Sequence, residues 1–300
     1  MIEIRDCVMR FEHDVTALDG ISISVPKGSA YGLLGSNGAG KSTLLRLITG
    51  IYRPTSGIVK VDGEDIYDNA KLKERIFFVS DETVQFGSMT LKQMRDYYKT
   101  FYGSFSDELF EKLTATVNLP SDKKLLTFSK GMKRQAAVIC GLSCKTPYLL
   151  LDEAFDGLDP TMRSIVKRML IDAMLDRKLT VLFSSHNMAE MDEFCDRVGL
   201  LHHGKTVFDR ELDSVKGSIV KLQTAFDRAV TKADFNDIEL LSLETSGSVT
   251  RIIARGDREE IVSAVRGLSP KFIDEIPLNL EEIFIYEMEV LGYDSSGLKN

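Results

Sequence analysis

The sequence predicts an α/β fold organised around a mixed sheet, followed by a small α+β domain. First, a glycine-rich segment, GSNGAGKST (35–43), lies between two apolar runs, as at a strand-to-helix turn. Second, the apolar runs YLLLDE (148–153) and LTVLFSS (179–185) are typical of strands buried in a parallel sheet. Third, the chain from about 217 changes to short strands and two amphipathic helices. The predicted domains are therefore residues 1–216 and 217–300.

Within the first predicted domain, two kinds of pattern alternate. Residues 1 to about 85 contain short strands separated by turns such as PTSG and DGED, which predicts an antiparallel β subdomain. Residues 88 to 145 change to helical periodicity and predict a helical subdomain. Cys140 and Cys144 lie four apart in an apolar helical stretch, so we expect both to be core residues. Two apolar stripes are also expected in the core: Leu91, Met94, Tyr98 and Phe101, then Leu109, Phe110, Leu113 and Val117.

Composition excludes some classes of function. The net charge of -7 argues against a broad basic face, so no nucleic-acid partner is expected. No run of about 18 apolar residues occurs, and the N-terminus lacks a targeting pattern. We therefore expect a cytoplasmic protein.

The glycine-rich segment has the spacing of a phosphate-binding loop, G-x-x-x-x-G-K-[ST]. Glycines let backbone N–H groups curl around phosphate oxygens, while the following helix directs its positive end at them. Lys41 adds a charge, and the Ser42 hydroxyl is expected to hold Mg²⁺. The sequence therefore predicts a P-loop NTPase with nucleotide-binding residues Gly35, Ser36, Asn37, Gly38, Ala39, Gly40, Lys41, Ser42 and Thr43.

A phosphate loop alone leaves kinases, GTPases and ATPases open. Asp152 and Glu153 follow an apolar strand, and His186 follows another. Since ligands gather at the carboxyl ends of parallel strands, Asp152 is expected at Mg²⁺ and Glu153 at the attacking water. His186 is expected to contact the γ-phosphate or that water. Glu153 and His186 are the predicted catalytic residues.

The segment TFSKGMKRQAAV lies between these strands, and with it the chain resembles ATP-binding cassette (ABC) ATPases. Phe128 to Met132 occupy the positions of the family's LSGGQ signature, and the motifs cover residues 1 to about 210. The resemblance implies that ATP is bound between two nucleotide domains, in a homodimer or a heterodimer. Ser129 and Gly131 would contact ATP on the opposite subunit, Asp159 would lie on the shared face, and Phe11 would stack on adenine.

The resemblance also implies a transmembrane permease partner and a peripheral location on the inner face of the cell membrane. The chain looks like antibiotic- and drug-export ATPases, with the loop ETVQFGSMT and its Phe86 and Met89 exposed for docking. Two positions depart from the family. Asp81, followed by Glu82, replaces a glutamine that contacts Mg²⁺, and a carboxylate at 81 is expected to ligate it too. Lys130 and Met132 replace a glycine and a glutamine of the signature.

Two alternatives remain beside the transporter subunit. The first is a soluble ABC ATPase acting on ribosomes or DNA, which the single cassette, the lack of long coiled coils and the acidic charge disfavour. The second is a regulator with little turnover, which the presence of Glu153 and His186 disfavours. Residues 217–300 show no catalytic constellation, so we expect a packing, dimer-stabilising or regulatory role. The last helix is expected to pack through Leu280, Ile283, Phe284, Met288 and Leu291.

Overall fold

The computed structural model describes residues 1–12, 15–81 and 86–290, without the side chains of 287–290. These residues divide into two compact units. The first comprises Met1–Glu190 with Phe194–Asp209, and the second comprises Met191–Glu193 with the chain from Arg210 onward. The boundary between residues 216 and 217 as a limit of domains remains a prediction.

The first unit contains an antiparallel sheet with the strand order β2-β1-β4-β5. Its strands are β1 (Ile2–Arg10), β2 (Thr16–Val25), β4 (Ser56–Val61) and β5 (Glu64–Asp65). Alternate residues of β1 and β2 are buried, as expected for a sheet with one face on the core. Their buried side chains join a core that also contains Leu45, Tyr148 and Leu182. The predicted antiparallel region therefore packs against the strands and helix that carry the glycine-rich loop.

A six-stranded sheet forms the centre of the first unit. Its strands are β3 (Ala30–Leu34), β6 (Ile76–Val79), β7 (Tyr148–Asp152), β8 (Thr180–Ser184), β9 (Arg197–His202) and β10 (Lys205–Glu211). Their order is β10-β9-β3-β8-β7-β6, and β8 pairs in parallel with both β3 and β7. All residues of β3, β7 and β8 are buried, which explains their continuous apolar sequences. The predicted α/β class is confirmed.

The register of this sheet determines what meets at its carboxyl edge. Ser184, the last residue of β8, lies opposite Leu33 on one side and Asp152 on the other. The ends of β3, β7 and β8 are therefore level. The glycine-rich loop that follows β3 is thereby placed on the same edge as Asp152 and the residue after it.

Seven helices accompany these sheets in the described chain up to Asp209. They are α1 (Lys41–Ile48), α2 (Ala70–Lys73), α3 (Leu91–Phe101), α4 (Asp107–Thr116), α5 (Lys130–Ser143), α6 (Pro160–Arg177) and α7 (Met188–Phe194). Thr90 and Gln93 form a capping box that starts α3. Within the described residues, no helix is long and apolar enough to cross a membrane.

The helical region matches most of the predicted core but not all of it. Leu91 and Met94 of α3 are buried, as are Cys140 and Cys144. Phe101, expected in the same stripe as Leu91, is instead 55% exposed. This expectation was wrong because helical periodicity assigns a face, and only the packing of neighbouring elements decides how far along the helix that face is covered.

The second unit has one antiparallel sheet of order β12-β13-β11-β14. It contains α8 (Leu212–Gly217), β11 (Ile219–Ala225), β12 (Glu239–Ser246), β13 (Val249–Arg255), α9 (Arg258–Gly267), β14 (Phe272–Glu275) and α10 (Leu280–Val290). The described side chains of α10 include Leu280, Ile283 and Phe284, all buried. The side chain of Met288, and Leu291, lie outside the described residues.

Candidate functional site

The glycine-rich loop connects β3 to α1, as the motif predicts. Its backbone is left-handed at Gly38 (φ 80°) and Gly40 (φ 104°), a region that glycine adopts readily. At Gly40 a Cβ atom would lie 2.5 Å from Leu18 Cδ2 and 2.8 Å from the Ala17 carbonyl oxygen. Since no larger residue fits there, the antiparallel sheet itself fixes the shape of the loop. Ser36, Asn37 and Gly38 are exposed at its rim, while Gly35 and Ala39 are buried.

Lys41, the first residue of α1, is only 5% exposed and points back into this loop. Its Nζ donates hydrogen bonds to the carbonyl oxygens of Gly35 (2.7 Å) and Ser36 (3.1 Å). Burial lowers the pKa of the lysine, and the negative charges of Glu153 and Asp152 oppose that shift. The loop therefore encloses the positively charged Lys41 side chain near Asp152 and Glu153. A phosphate-binding site needs such a positive charge.

Asp152 ends β7 and is fully buried. Its Oδ1 accepts a hydrogen bond of 2.5 Å from the Ser184 hydroxyl. Its Oδ2 is buried and has no hydrogen-bond partner among the described residues. A buried carboxylate oxygen without a donor needs a cation or a water molecule. The residue therefore fits a Mg²⁺ ligand, and Ser42 and Thr43, half-buried in the first turn of α1, supply hydroxyls of the kind such an ion accepts.

Glu153 has a left-handed backbone, φ 48°, which is uncommon outside glycine and often marks a functional site. Its N–H donates to the hydroxyl (3.1 Å) and carbonyl (3.2 Å) oxygens of Ser184. Its carboxylate lies 3.8 Å from Nδ1 of His186, whose side chain is 55% exposed. The structure thus brings the two predicted catalytic residues together at an accessible edge of the sheet.

The signature residues occupy the start of α5. Ser129 is the N-cap, and its hydroxyl accepts the N–H of Met132 at 3.2 Å. Gly131 is buried, and a Cβ atom there would lie 2.6 Å from the Gly157 carbonyl oxygen. The glycine is thus required by close packing on the segment after Glu153, a reason that sequence reasoning missed. Asp159 ends that segment as the exposed N-cap of α6.

Lys130 lies beside the same segment. Its Nζ is 3.8 Å from a carboxylate oxygen of Asp156. Asp156 in turn belongs to a cluster with Glu153 and His186, in which one ligand atom from each residue lies within 4.8 Å of the others. The lysine that departs from the family signature therefore faces an acidic group next to the candidate catalytic residues. No pattern in the sequence indicated the contact between Lys130 and Asp156.

Asp81 lies after β6 and is held from two sides. Its carboxylate forms a 3.2 Å ion pair with Arg46 of α1. Arg134 of α5, almost fully buried, donates hydrogen bonds to the carbonyl oxygens of Ser80 (2.5 Å) and Asp81 (2.7 Å). Arg134 is a site residue that sequence reasoning missed, because nothing in its local sequence shows which backbone it binds. The neighbouring Glu82 lies outside the described residues.

Phe11 and the segment with Phe86 and Met89 were predicted to contact adenine and a transmembrane partner. The ring of Phe11 is 38% exposed and meets Tyr52 edge to face, with centroids 5.4 Å apart. Phe86 and Met89 were expected to be exposed, but both are half-buried, and Phe86 packs on Tyr97 at 5.1 Å. Large apolar side chains that are exposed near this segment include Tyr97 and Phe101 of α3, and Leu126, whose backbone N–H donates to the Gly87 carbonyl oxygen.

Comparisons with known proteins agree with this geometry. The family model described as "ABC transporter" matches residues 18–156, which include the glycine-rich loop, the signature and Glu153. The ABC transporter ATP-binding protein YtrB of Bacillus subtilis (strain 168) is 31% identical over 95% of this chain and 97% of its own length. The bacitracin transport ATP-binding protein BcrA of Bacillus licheniformis is 30% identical over 67% of this chain and 66% of its own. The dimeric cassette MJ0796 superposes with a TM-score of 0.64 over 71% of this chain and 99% of its own, at 22% identity, which supports the fold alone.

The fold and the loop with its buried lysine define a nucleotide-binding protein of the P-loop class. Within that class, the YtrB match spans nearly the full length of both chains. The chain belongs to the ABC transporter family, as one of its ATP-binding subunits. ATP-binding proteins of this family act with transmembrane subunits.

Proposed function

We propose that this chain binds Mg²⁺-ATP, hydrolyses it, and thereby drives a separate transmembrane exporter subunit through ATP-dependent pairing of two nucleotide domains. The observation that carries the proposal is the level carboxyl edge of β3, β7 and β8, where Lys41, Asp152 and Glu153 converge. Export, rather than import, is supported by relatives named for bacitracin transport and linearmycin resistance.

The binding roles follow from the donor groups on this edge. The backbone N–H groups from Gly35 to Thr43 and the Lys41 ammonium bind the phosphates, since both present positive charge to them. Asp152, through its unpaired Oδ2, and the Ser42 hydroxyl hold the metal ion, which when bound neutralises phosphate charge. Asp81 would be a further ligand of the ion, and its carboxylate would then leave Arg46. Phe11 offers an exposed ring face for the adenine.

The chemical roles fall to the pair after the two strands. Glu153 accepts the proton of the attacking water, and His186 hydrogen-bonds the γ-phosphate. The left-handed backbone of Glu153, anchored by Ser184, turns its carboxylate away from the sheet and toward His186. This geometry supports a fixed base rather than a mobile surface carboxylate.

The second subunit supplies the remaining nucleotide contacts. Ser129 and the Gly131 backbone begin a helix of 14 residues, whose positive end can bind the phosphates of ATP held by the partner. Asp159 is exposed at the start of α6, where a facing domain can reach it. The proposed assembly is therefore a homodimer or heterodimer of nucleotide domains. The 217–300 domain is proposed to support this assembly or regulate it.

The transmembrane partner is proposed to dock beside α3. A cavity of about 350 Å³ opens there, lined by residues that include Arg46, Ile51, Phe86, Met94 and Tyr98. Tyr97 (40% exposed) and Phe101 (55% exposed) lie on the same helix. Exposed aromatic side chains beside an open cavity suit an apolar helix of a partner protein. Docking there would hold the chain on the inner face of the cell membrane.

The proposal is tested with the Glu153→Gln variant, purified from its native cells in mild detergent with ATP present. We expect retained ATP binding, hydrolysis reduced by about a hundredfold or more, a dimer in light scattering, and a co-purifying polytopic membrane protein. Tyr97→Asp with Phe101→Asp in this background should release the membrane protein but keep the dimer. Co-purification of ribosomal or DNA-bound proteins instead would contradict the transport role, and monomers with ATP would contradict ATP-dependent pairing.

A further inference from the structure

Glu190 of α7 is a buried carboxylate that the roles above do not use. The residue is only 6% exposed, and its Oε1 lies 2.9 Å from Nη1 of Arg163 on α6. Its Oε2 accepts a 2.9 Å hydrogen bond from the Ser185 hydroxyl. A buried charge is costly unless it is paired and hydrogen-bonded, and Glu190 is both. These contacts join α6 to the loop that follows β8.

That loop contains His186, and the residues directly before and after it, Ser185 and Asn187, both contact Glu190. Ser185 comes directly before the histidine and donates to Glu190, while its Oγ accepts the N–H of Asn187 at 2.9 Å. The Asn187 side chain also reaches Glu190, with 3.5 Å between Nδ2 and Oε1. The His186 ring itself is 55% exposed and lies 3.8 Å from Glu153. Its position therefore depends largely on the loop backbone, which Glu190 holds.

Arg163 connects the same carboxylate to the segment that carries Asp159. The arginine lies in the first turn of α6, and its backbone N–H bonds the Asp159 carbonyl oxygen at 2.9 Å. Its Nη2 is 3.5 Å from the Leu158 carbonyl oxygen, while Nη1 contacts Glu190. A planar guanidinium can hold two acceptors at once, which a lysine ammonium on a flexible stem does less well. A displacement of this segment would thus be transmitted to Glu190.

We propose that Arg163, Glu190 and Ser185 are positioning residues, which hold His186 at its working distance from Glu153 and link it to the segment ending at Asp159. The inference rests on the proposed roles of His186 and Asp159. Docking of a second nucleotide domain against Asp159 then acts on the histidine through the Arg163–Glu190 ion pair. Hydrolysis is thereby made sensitive to pairing of the subunits, although none of these three residues contacts ATP.

The test is Ser185→Ala, which removes the hydroxyl between Glu190 and the loop but keeps the buried ion pair. Its matched control is Ser164→Ala, an exposed serine of α6 whose hydroxyl donates to the Pro160 carbonyl oxygen of its own helix. We expect kcat of ATP hydrolysis in Ser185→Ala to fall by about ten- to a hundredfold with KM unchanged within about twofold. The control should keep the wild-type kcat.

A spectroscopic signal separates positioning from loss of stability. The chain has only 4 histidines, so the imidazole resonance of His186 can be assigned by its loss in His186→Gln. In Ser185→Ala this resonance should shift, while those of His202 and His203 should not. Glu190→Gln keeps the size of the side chain but removes its charge, and it should also reduce kcat. In the Glu190→Gln background, Arg163→Met should lower kcat less than it does in the wild-type background, because the ion pair is already lost.

Three outcomes would overturn the inference. One is an unchanged kcat in Ser185→Ala while the wild type hydrolyses ATP. Another is a kcat that falls only in proportion to the folded fraction measured by circular dichroism. The third is an unmoved His186 resonance. Failure of the proposed function is recognised separately, because the wild-type chain itself would then not hydrolyse ATP and Glu153→Gln would change nothing.

Discussion

Among the described residues, the first unit has a sheet with parallel strands beside its antiparallel sheet, whereas the second has an antiparallel sheet alone. In the first, β3, β7 and β8 are buried on both faces, so their side chains fill the core and the chemistry is left to the residues after their carboxyl ends. In the second, the antiparallel strands place Leu222 and Ile252 in a core shared with Ile261 of α9. Parallel strands thus concentrate the loops that follow them at one edge, whereas antiparallel neighbours such as β12 and β13 end at opposite edges of their sheet.

The first unit has left-handed residues in turns, such as Asn118 and Lys145, and another beside its reactive groups. In the first unit, left-handed Glu153 directly follows a strand and directs a carboxylate into the site. In the second, left-handed Gly247 and Ser269 lie in turns between elements. Strain in the turns only reverses the chain, while strain at Glu153 positions a reactive group. The comparison predicts that equal chemical changes in the two units have different consequences.

The largest expected effect comes from truncating one fully buried leucine in each unit. Leu182→Ala in β8 and Leu222→Ala in β11 should each cost about 2–5 kcal/mol in the free energy of unfolding, because each leaves a cavity. Urea denaturation measures this cost. Calorimetry at folding conditions should show weaker ATP binding for Leu182→Ala alone. Weakened ATP binding in Leu222→Ala would break the functional separation of the units.

The next effect concerns ATP affinity. Lys41→Ala should reduce it by about a hundredfold or more, on the order of 3 kcal/mol, since a buried charged donor is lost from the phosphate loop. Lys271→Ala in the second unit removes an exposed lysine paired with Asp227 and serves as the control. Isothermal calorimetry with ATP should find the control indistinguishable from wild type. Undiminished affinity in Lys41→Ala would reject the assignment of the loop.

The smallest effect is a pH dependence that compares a carboxylate of the first unit with a more exposed one of the second. Burial of Asp62 in the first unit would raise its pKa, but hydrogen bonds from Lys27, the Met1 amine and Tyr148 outweigh burial and hold it well below its usual range. A depressed pKa stabilises the fold above the unfolded value of about 3.9, and this is lost as pH falls toward the folded value. Asp62→Asn should therefore cost about 1–3 kcal/mol at pH 7 and progressively less below about pH 4.

Asp234 of the second unit provides the counterpart. Arg228 and Thr231 lower its pKa to about 2, and its side chain is 20% exposed against 10% for Asp62, so water and salt screen the interaction more. Asp234→Asn should destabilise less than Asp62→Asn, and raising the salt concentration should diminish its effect. Denaturation curves from pH 2 to 7 at two salt concentrations measure both variants. An equal or larger loss in Asp234→Asn would contradict the role assigned to burial.

Much of the site could be predicted because its residues follow local patterns. A phosphate loop needs glycines, lysine and a hydroxyl within nine consecutive residues, and Asp152 and Glu153 directly follow an apolar run. Arg134 and Glu190 could not be predicted in this way. Arg134 binds carbonyl oxygens that follow β6, 53 and 54 residues away, and the ion-pair partner of Glu190 is Arg163 on another helix. The expectation that Phe86 is exposed failed for the same reason, because its cover comes from Tyr97.

By itself, the sequence determined the α/β class, the strands that lead into the nucleotide site, most strands and helices of the second unit, and the residue types of the site, because these depend on periodicity and on spacings within single segments. Tertiary structure decided which segments meet. The level ends of β3, β7 and β8 bring Lys41, Asp152 and Glu153 to one edge, and the packing of Gly131 on Gly157 brings the signature helix to the segment after Glu153. Such contacts depend on strand register and helix packing, which many distant side chains determine together.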